Sequence, residues 1–326
     1  MTPDKNMITE AMERIRPFVN RTPLLSCTTI NEMTGGNLFF KCENFQKAGA
    51  FKSRGATNAV FQLNSQELDK GVATHSSGNH AAALALAAKR RGTKAYIVMP
   101  EDSNKVKIRA VEGYGGIITF CEPTLQAREA TLEKVISKTG AIEIHPYNNT
   151  RIIAGQATAA LEIIEDVSDI NLLIAPVGGG GLLSGTALAA KYFGKQTKVI
   201  ASEPAHADDA YRSFKSKTFI PSVNPDTLAD GLRTSLGSLT FPIIMDQVND
   251  IVTVSEEGII TAMRLIWERM KIIVEPSSAV TLAAILEGKI DVHGLKTGII
   301  LSGGNVDLDN LPWTNASGTM DQPTKN

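Results

Sequence analysis

Short apolar runs alternate with amphipathic stretches along most of this chain. Residues 72–75, 95–99 (ended by Pro100) and 116–120 read as strands. Between and after them, 80–91, 105–112 and 125–138 place apolar positions at helical spacing, the first being rich in alanine. Farther on, 172–177 is apolar without a break, and 198–201 and 298–301 repeat the pattern. A strand with one wet face alternates, whereas an unbroken run suits a strand covered on both faces of a parallel sheet. Strand–helix alternation of this kind predicts an α/β fold with open parallel sheets.

Two sheets fit better than one. The stretch from Gly71 to Tyr147 is self-contained, which predicts a small mobile domain over 67–148. Residues 1–66 and 149–313 then form a larger domain. From 314 to 326 the chain turns polar and loses periodicity, as expected of a disordered tail.

Composition narrows the function classes. Lys and Arg number 33 against 34 Asp and Glu, for a net charge of -1. No basic field points to nucleic acid, and no segment reaches the roughly 18 apolar residues of a bilayer span. The beginning, Met1-Thr2-Pro3-Asp4-Lys5, lacks the apolar core of a signal peptide. Cys27, Cys42 and Cys121 form no CxxC pair, so reduced thiols in cytoplasm are expected rather than a disulfide framework or a zinc site.

Candidate chemistry clusters at strand ends, where α/β sheets place their ligands. Gly178, Gly179, Gly180 and Gly181 lead from the run at 172 into a helix that opens Leu182-Leu183-Ser184. Backbone amides without side chains can converge there on a phosphate, aided by the helix N-terminus. The run is neither a Walker loop nor GxGxxG, since Leu183 stands where the last glycine is required. A bare tight turn would also use glycine, but four in succession cost about 0.5–1 kcal/mol each in entropy relative to alanine. Ser76-Ser77-Gly78-Asn79-His80 follows the first strand and opens a helix, which suits either a carboxylate or simple capping. Lys52, between Phe51 and Ser53-Arg54-Gly55-Ala56, has apolar neighbours that would favour a neutral amine if they bury it. Glu203-Pro204-Ala205-His206-Ala207-Asp208-Asp209 offers oxygen ligands to a divalent cation, or is merely a solvated acidic turn. Leu301-Ser302-Gly303-Gly304-Asn305 is a strand running into a glycine turn.

In this order, from Arg21-Thr22-Pro23-Leu24 to Gly303-Gly304-Asn305, these motifs resemble the fold-type II pyridoxal-phosphate enzymes, in the branch of serine racemases and serine/threonine dehydratases. The resemblance implies two domains of the tryptophan-synthase-β type with the site between them, the larger one binding the cofactor. Lys52 would carry pyridoxal phosphate as a Schiff base and move the α-proton on one face. Phe51 would pack near the pyridine ring, Asn79 would bond its 3′-oxygen, and Ser302 would face its nitrogen. Gly178, Gly179, Gly180, Gly181 and Leu182 would bind the phosphate. Ser76, Ser77, Asn79 and His80 would hold the substrate carboxylate, with Arg128 reaching in on closure and Thr234 as a substrate-side hydroxyl. Glu203, the carbonyl of Ala207, and Asp209 match the divalent-cation site (Mg²⁺ or another cation) of serine racemases. Ser77 would serve as proton donor on the face opposite Lys52, where dedicated threonine dehydratases typically carry alanine.

The expectation is a cytoplasmic homodimer that dehydrates L-serine or L-threonine to a 2-oxo acid and ammonia, and racemises serine on the same site. A 3-hydroxyaspartate dehydratase is the alternative. A β-replacing, cysteine-synthase-like enzyme and a non-catalytic amino-acid sensor are rivals that the cation motif and Lys52, respectively, argue against. His80-Ala81-Ala82-Ala83 departs from the Gly-Gln that continues the serine motif in mammalian serine racemases, which argues against their ATP activation. No room remains for the regulatory domain of biosynthetic threonine dehydratases.

Overall fold

The computed structural model describes residues 1–76, 78–103 and 105–314; the tail expected beyond 314 lies outside them. Among the described residues ten strands run in chain order: β1 Leu24–Leu25, β2 Asn37–Cys42, β3 Val72–His75, β4 Ala95–Pro100, β5 Ile117–Cys121, β6 Ile142–Glu143, β7 Leu172–Pro176, β8 Lys198–Pro204, β9 Asp250–Val254 and β10 Lys296–Leu301. They form a six-stranded sheet, ordered β1-β2-β10-β7-β8-β9, and a four-stranded sheet, ordered β5-β4-β3-β6. Every pairing is parallel except β1 with β2, an antiparallel edge contact.

Burial explains the unbroken runs. Along β7, Leu173 and Ala175 join one apolar cluster while Leu172 and Ile174 join another, so helices cover both faces. The helices begin where the sequence supplies caps. Asn149 accepts the amides of Arg151 and Ile152 to start helix Thr150–Asp166, and Thr124 accepts Ala127 N–H to start helix Leu125–Thr139.

Three glycines fix how the helices under the site cross. A β-carbon at Gly155, in helix Thr150–Asp166, would lie 2.6 Å from the Cα of Gly55, in helix Lys52–Val60. A β-carbon at Gly185, in helix Gly181–Phe193, would lie 2.7 Å from the backbone nitrogen of Ala157. The three helices therefore meet backbone to backbone, with helix Thr150–Asp166 in the middle.

The C-terminal ends of β3, β7 and β10 lead into Ser76, Gly178 and Ser302, which brings those turns to one cleft between the sheets. Side chains bridge it. Lys107 pairs with Asp230, and Asn79 Nδ2 donates to both oxygens of Glu275 at 2.9 and 3.1 Å.

Candidate active site

Lys52 opens its helix, and the preceding residue is pinned by a bond from Phe51 N–H to the Ser302 carbonyl, 3.0 Å. The amine donates to the Pro146 carbonyl at 2.8 Å and lies 5.1 Å from the Phe51 ring centroid. Burial lowers its pKa to about 8, with Glu275 pulling the other way. Attachment of an aldehyde to this amine should therefore rise with pH around a midpoint near 8. The initial rate of Schiff-base formation from apoprotein and pyridoxal phosphate, followed across pH 6–11, checks it; a midpoint near 10.5 would mean an ordinary lysine.

Two residues on, Arg54 points the other way into the core. It forms paired bonds with Glu43 (2.7 and 2.8 Å) and with Glu162 (2.7 and 2.9 Å). Lys41 joins Glu162 at 2.5 Å and donates to the Thr22 carbonyl at 2.7 Å. Burial opposes the charge on Arg54, but Glu43 and Glu162 outweigh it and raise its pKa. This anchor fixes the rotation of the helix that aims Lys52.

Each glycine of the run 178–181 is required. A β-carbon at Gly178 would lie 2.9 Å from the Leu232 backbone, and one at Gly179 would lie 2.3 Å from the Tyr147 ring. One at Gly181 would meet Tyr147 again at 2.9 Å. Gly180 has φ +85°, a left-handed conformation that glycine adopts without strain. Helix Gly181–Phe193 starts at this turn, and its first amides are ones a helix cannot pair internally.

Ser302 is buried with its hydroxyl 3.2 Å from that of Ser278. Ser278 donates its proton to the Gly303 carbonyl at 2.6 Å. In that 3.2 Å contact Ser302 is therefore the donor, so its proton rests on Ser278 and would have to turn from it to serve a ring nitrogen. Asn79 is held from both sides, donating to Glu275 and accepting from Asn305 Nδ2 at 2.9 Å. Burial, then Asp230, raise the pKa of Glu275 to about 7.

Ser76 is half-buried and accepts Gly78 N–H at 3.3 Å; Ser77 lies outside the described residues. His80 turns away from the cleft. Its ring is 2% exposed, Nε2 donates to the Ile144 carbonyl at 2.9 Å, and burial followed by repulsion from Lys52 lowers its pKa to about 3. A neutral ring so committed offers a carboxylate no donor, leaving only its backbone at the helix start. Arg128 is half-buried, with Nε unpaired, near His75 and Tyr147.

The wall formed by His145, Pro146 and Tyr147 is absent from the motifs read in sequence. It follows β6, so the strand-end rule that flags Ser76 and Gly178 flags it as well. His145 Nδ1 accepts the amides of Asn148 (2.9 Å) and Tyr147 (3.3 Å). Burial, His75 and Lys52 lower its pKa to about 4. Tyr147 meets His145 edge to face at 4.6 Å, and burial raises the pKa of its phenol, which the nearby Thr234 hydroxyl partly offsets.

Glu203 and Asp209 are both buried. Glu203 accepts the amides of Ala210 (3.1 Å) and Tyr211 (2.8 Å), and burial followed by Asp209 raises its pKa well above the usual range. Both Asp209 oxygens are buried without a geometric hydrogen-bond partner. Burial lifts its pKa to about 6, which the nearby Ser222 hydroxyl only partly offsets. Two buried carboxylates beside the turn Ala205–Ala207 suit a divalent cation, although among the described residues no group of three or more His, Cys, Asp or Glu could hold one.

A family model described as pyridoxal-phosphate dependent enzyme matches residues 15–303. The chain belongs to that family. Among curated relatives, a β-hydroxyaspartate dehydratase of Paracoccus denitrificans is 51% identical over 303 residues, covering 93% of this chain and 96% of the relative. A serine racemase of Dictyostelium discoideum is 52% identical, covering 93% and 95%. Among solved structures, maize serine racemase superposes with a TM-score of 0.93 at 47% identity, covering 97% of both chains. The residues of this pyridoxal-phosphate enzyme fit the cofactor on two counts: the amine of lowered pKa and the side-chain-free turn at a helix start. No helix among the described residues is long and apolar enough to cross a membrane.

Proposed function

We propose that this enzyme removes water from β-hydroxy amino acids, L-serine and L-threonine, giving a 2-oxo acid and ammonia, and racemises serine in the same cleft. The observation that carries the reading is Lys52, whose amine has a pKa of about 8 and faces the cleft of a pyridoxal-phosphate enzyme. Lys52 would hold the cofactor, with Gly178 to Leu182 on its phosphate, Asn79 on its ring oxygen and Ser302 at its nitrogen. When bound, the cofactor supplies the electron sink that acidifies the substrate α-carbon. The protein supplies position and proton placement. Near neutral pH the Lys52 amine takes the α-proton readily, because burial has already disfavoured its ammonium. Ser302, which now donates to Ser278, would turn its proton to a neutral ring nitrogen rather than charge it. Ser76 and the amides opening helix Asn79–Arg91 receive the substrate carboxylate, and Ser77 would return a proton on the opposite face. The units 67–148 and 1–66 with 149–313 would close over the substrate; the Lys107–Asp230 and Asn79–Glu275 contacts support that division.

The names of the relatives support the substrate class. The second reading, 3-hydroxyaspartate, is supported by the Paracoccus relative and by Arg128, whose guanidinium has no carboxylate partner among the described ion pairs. A single incubation tests both. The protein, pyridoxal phosphate and Mg²⁺ are mixed with L-serine, L-threonine or 3-hydroxyaspartate, and D-serine, 2-oxo acid and ammonia are measured. Pyruvate with D-serine is the expected result from L-serine. Oxaloacetate from hydroxyaspartate alone would establish the second reading, and no product from any of the three would refute both.

The cation belongs to the same proposal, held by Glu203, the Ala207 carbonyl and Asp209. Mg²⁺ at about 100 times its dissociation constant should stabilise the fold by roughly 2.7 kcal/mol. Melting in chelator and in Mg²⁺ checks this, and Asp209→Asn should erase the difference. A homodimer in the cytoplasm completes the reading, and sedimentation of the purified protein tests the dimer.

A further inference from the structure

Elimination of water moves two protons, one off the α-carbon and one onto the departing oxygen. Lys52 accounts for the first. The second needs an acid that stays protonated near neutral pH, and the described histidines of the cleft do not provide one. Burial lowers the pKa of His75, and puts those of His80 and His145 at about 3 and 4. His80 has also committed its proton to the Ile144 carbonyl.

Tyr147 is different. Burial raises its pKa, so the phenol keeps its proton at every physiological pH. The nearby Thr234 hydroxyl lowers that pKa without overcoming burial, and the phenol's proton is available to a ligand. Arg128 likewise favours the ionised form, while the carboxylates of Asp209 and Glu129 oppose it. The ring cannot swing freely, because it rests on Gly179 and meets His145 edge to face at 4.6 Å. The residue before it supplies the carbonyl that holds the Lys52 amine at 2.8 Å.

We propose that Tyr147 recognises the β-hydroxyl of the substrate and protonates it as it leaves. The inference rests on the dehydratase reading above. The electron pair of the Cα–H bond becomes the Cα=Cβ bond, and its proton passes to the Lys52 amine. The Cβ–O pair departs with oxygen, which takes the phenol proton and leaves as water. The phenolate, facing Thr234 and Arg128, recovers a proton from solvent.

The test compares two leaving groups. Chloride departs from β-chloro-L-alanine without a proton, whereas hydroxide from L-serine needs one. In Tyr147→Phe the ratio of serine to chloroalanine elimination should fall about 100-fold, the usual scale of lost acid catalysis. Thr234→Val should lower it about 5-fold at most, because the nearby hydroxyl only tunes the phenol. Binding supplies a readout apart from turnover. Glycerate carries the β-hydroxyl and lactate does not, and the preference of the wild type for glycerate in ligand-observed NMR should vanish in Tyr147→Phe. The phenylalanine keeps the ring on Gly179, so melting temperature and cofactor absorbance report an intact fold. A ratio within twofold of wild type overturns the proposal and leaves the cofactor phosphate as the acid. Wild-type protein that eliminates neither substrate would instead sink the dehydratase reading itself.

Discussion

Lys52→Ala should yield a folded protein without Schiff-base absorbance and with turnover reduced at least about 10⁴-fold, the scale on which loss of a group acting directly on the reacting atoms is felt. The glycine turn remains, so pyridoxal phosphate should still bind through its phosphate and show the absorbance of a free aldehyde. Stability moves in the opposite direction from activity. In the folded apoprotein the Lys52 pKa is about 8 against an ordinary 10.5. The folded state therefore binds fewer protons than the unfolded one between those values, and stability rises with pH across that window. Below pH 8 the buried ammonium costs the full amount, so the alanine variant should melt higher than wild-type apoprotein at pH 7, and the gap should narrow by pH 10. Retained Schiff-base absorbance would show that another lysine carries the cofactor.

The second large effect belongs to Arg54, which touches no substrate. The buried set contains two cations, Lys41 and Arg54, and two anions, Glu43 and Glu162, so it is neutral as it stands. Arg54→Met removes one cation and leaves a net buried negative charge. The expected cost is about 3–5 kcal/mol, read as lowered urea and thermal midpoints. Arg54→Met with Glu43→Met leaves Lys41 paired with Glu162 at 2.5 Å, which restores neutrality and should recover at least half of that loss. If the double variant is no more stable than the single one, packing rather than charge sets the cost. Cofactor attachment should weaken in the single variant, because the same helix aims Lys52.

Much of this was legible in the chain, for local reasons. The strands now β3, β4, β5, β7, β8 and β10 announced themselves as apolar runs. β2 was hidden because Lys41 interrupts Leu38-Phe39-Phe40 and looks like a surface residue until Glu162, far along the chain, neutralises it. β1 and β6 have two residues each, too few for any period, and β9 is a partly covered edge. In the site, Lys52 and the four glycines stand out because their roles are written in neighbouring residues. Glu275 does not, because an acidic residue before Pro276 reads as an ordinary helix start. Its importance comes from residues far along the chain, Asn79 at 196 positions away and the Lys52 amine. Tyr147 was hidden likewise, since its meaning depends on Gly179 and Thr234. Helical phase at the turn sends the His80 ring into the core, so a carboxylate contact at that position would come from its backbone rather than its side chain.

The helix crossings at Gly55–Gly155 and Gly185–Ala157 carry a consequence for how this scaffold can change. Lys52 heads one outer helix and the glycine turn heads the other, so in the proposed binding mode the span between the two ends of the cofactor would be gauged by backbone contacts across the helix between them. Side chains lining the cleft can be exchanged without touching that gauge, and new substrates can be accommodated while the cofactor keeps its seat. A single methyl group at position 55, 155 or 185 would instead reset the spacing for every substrate at once.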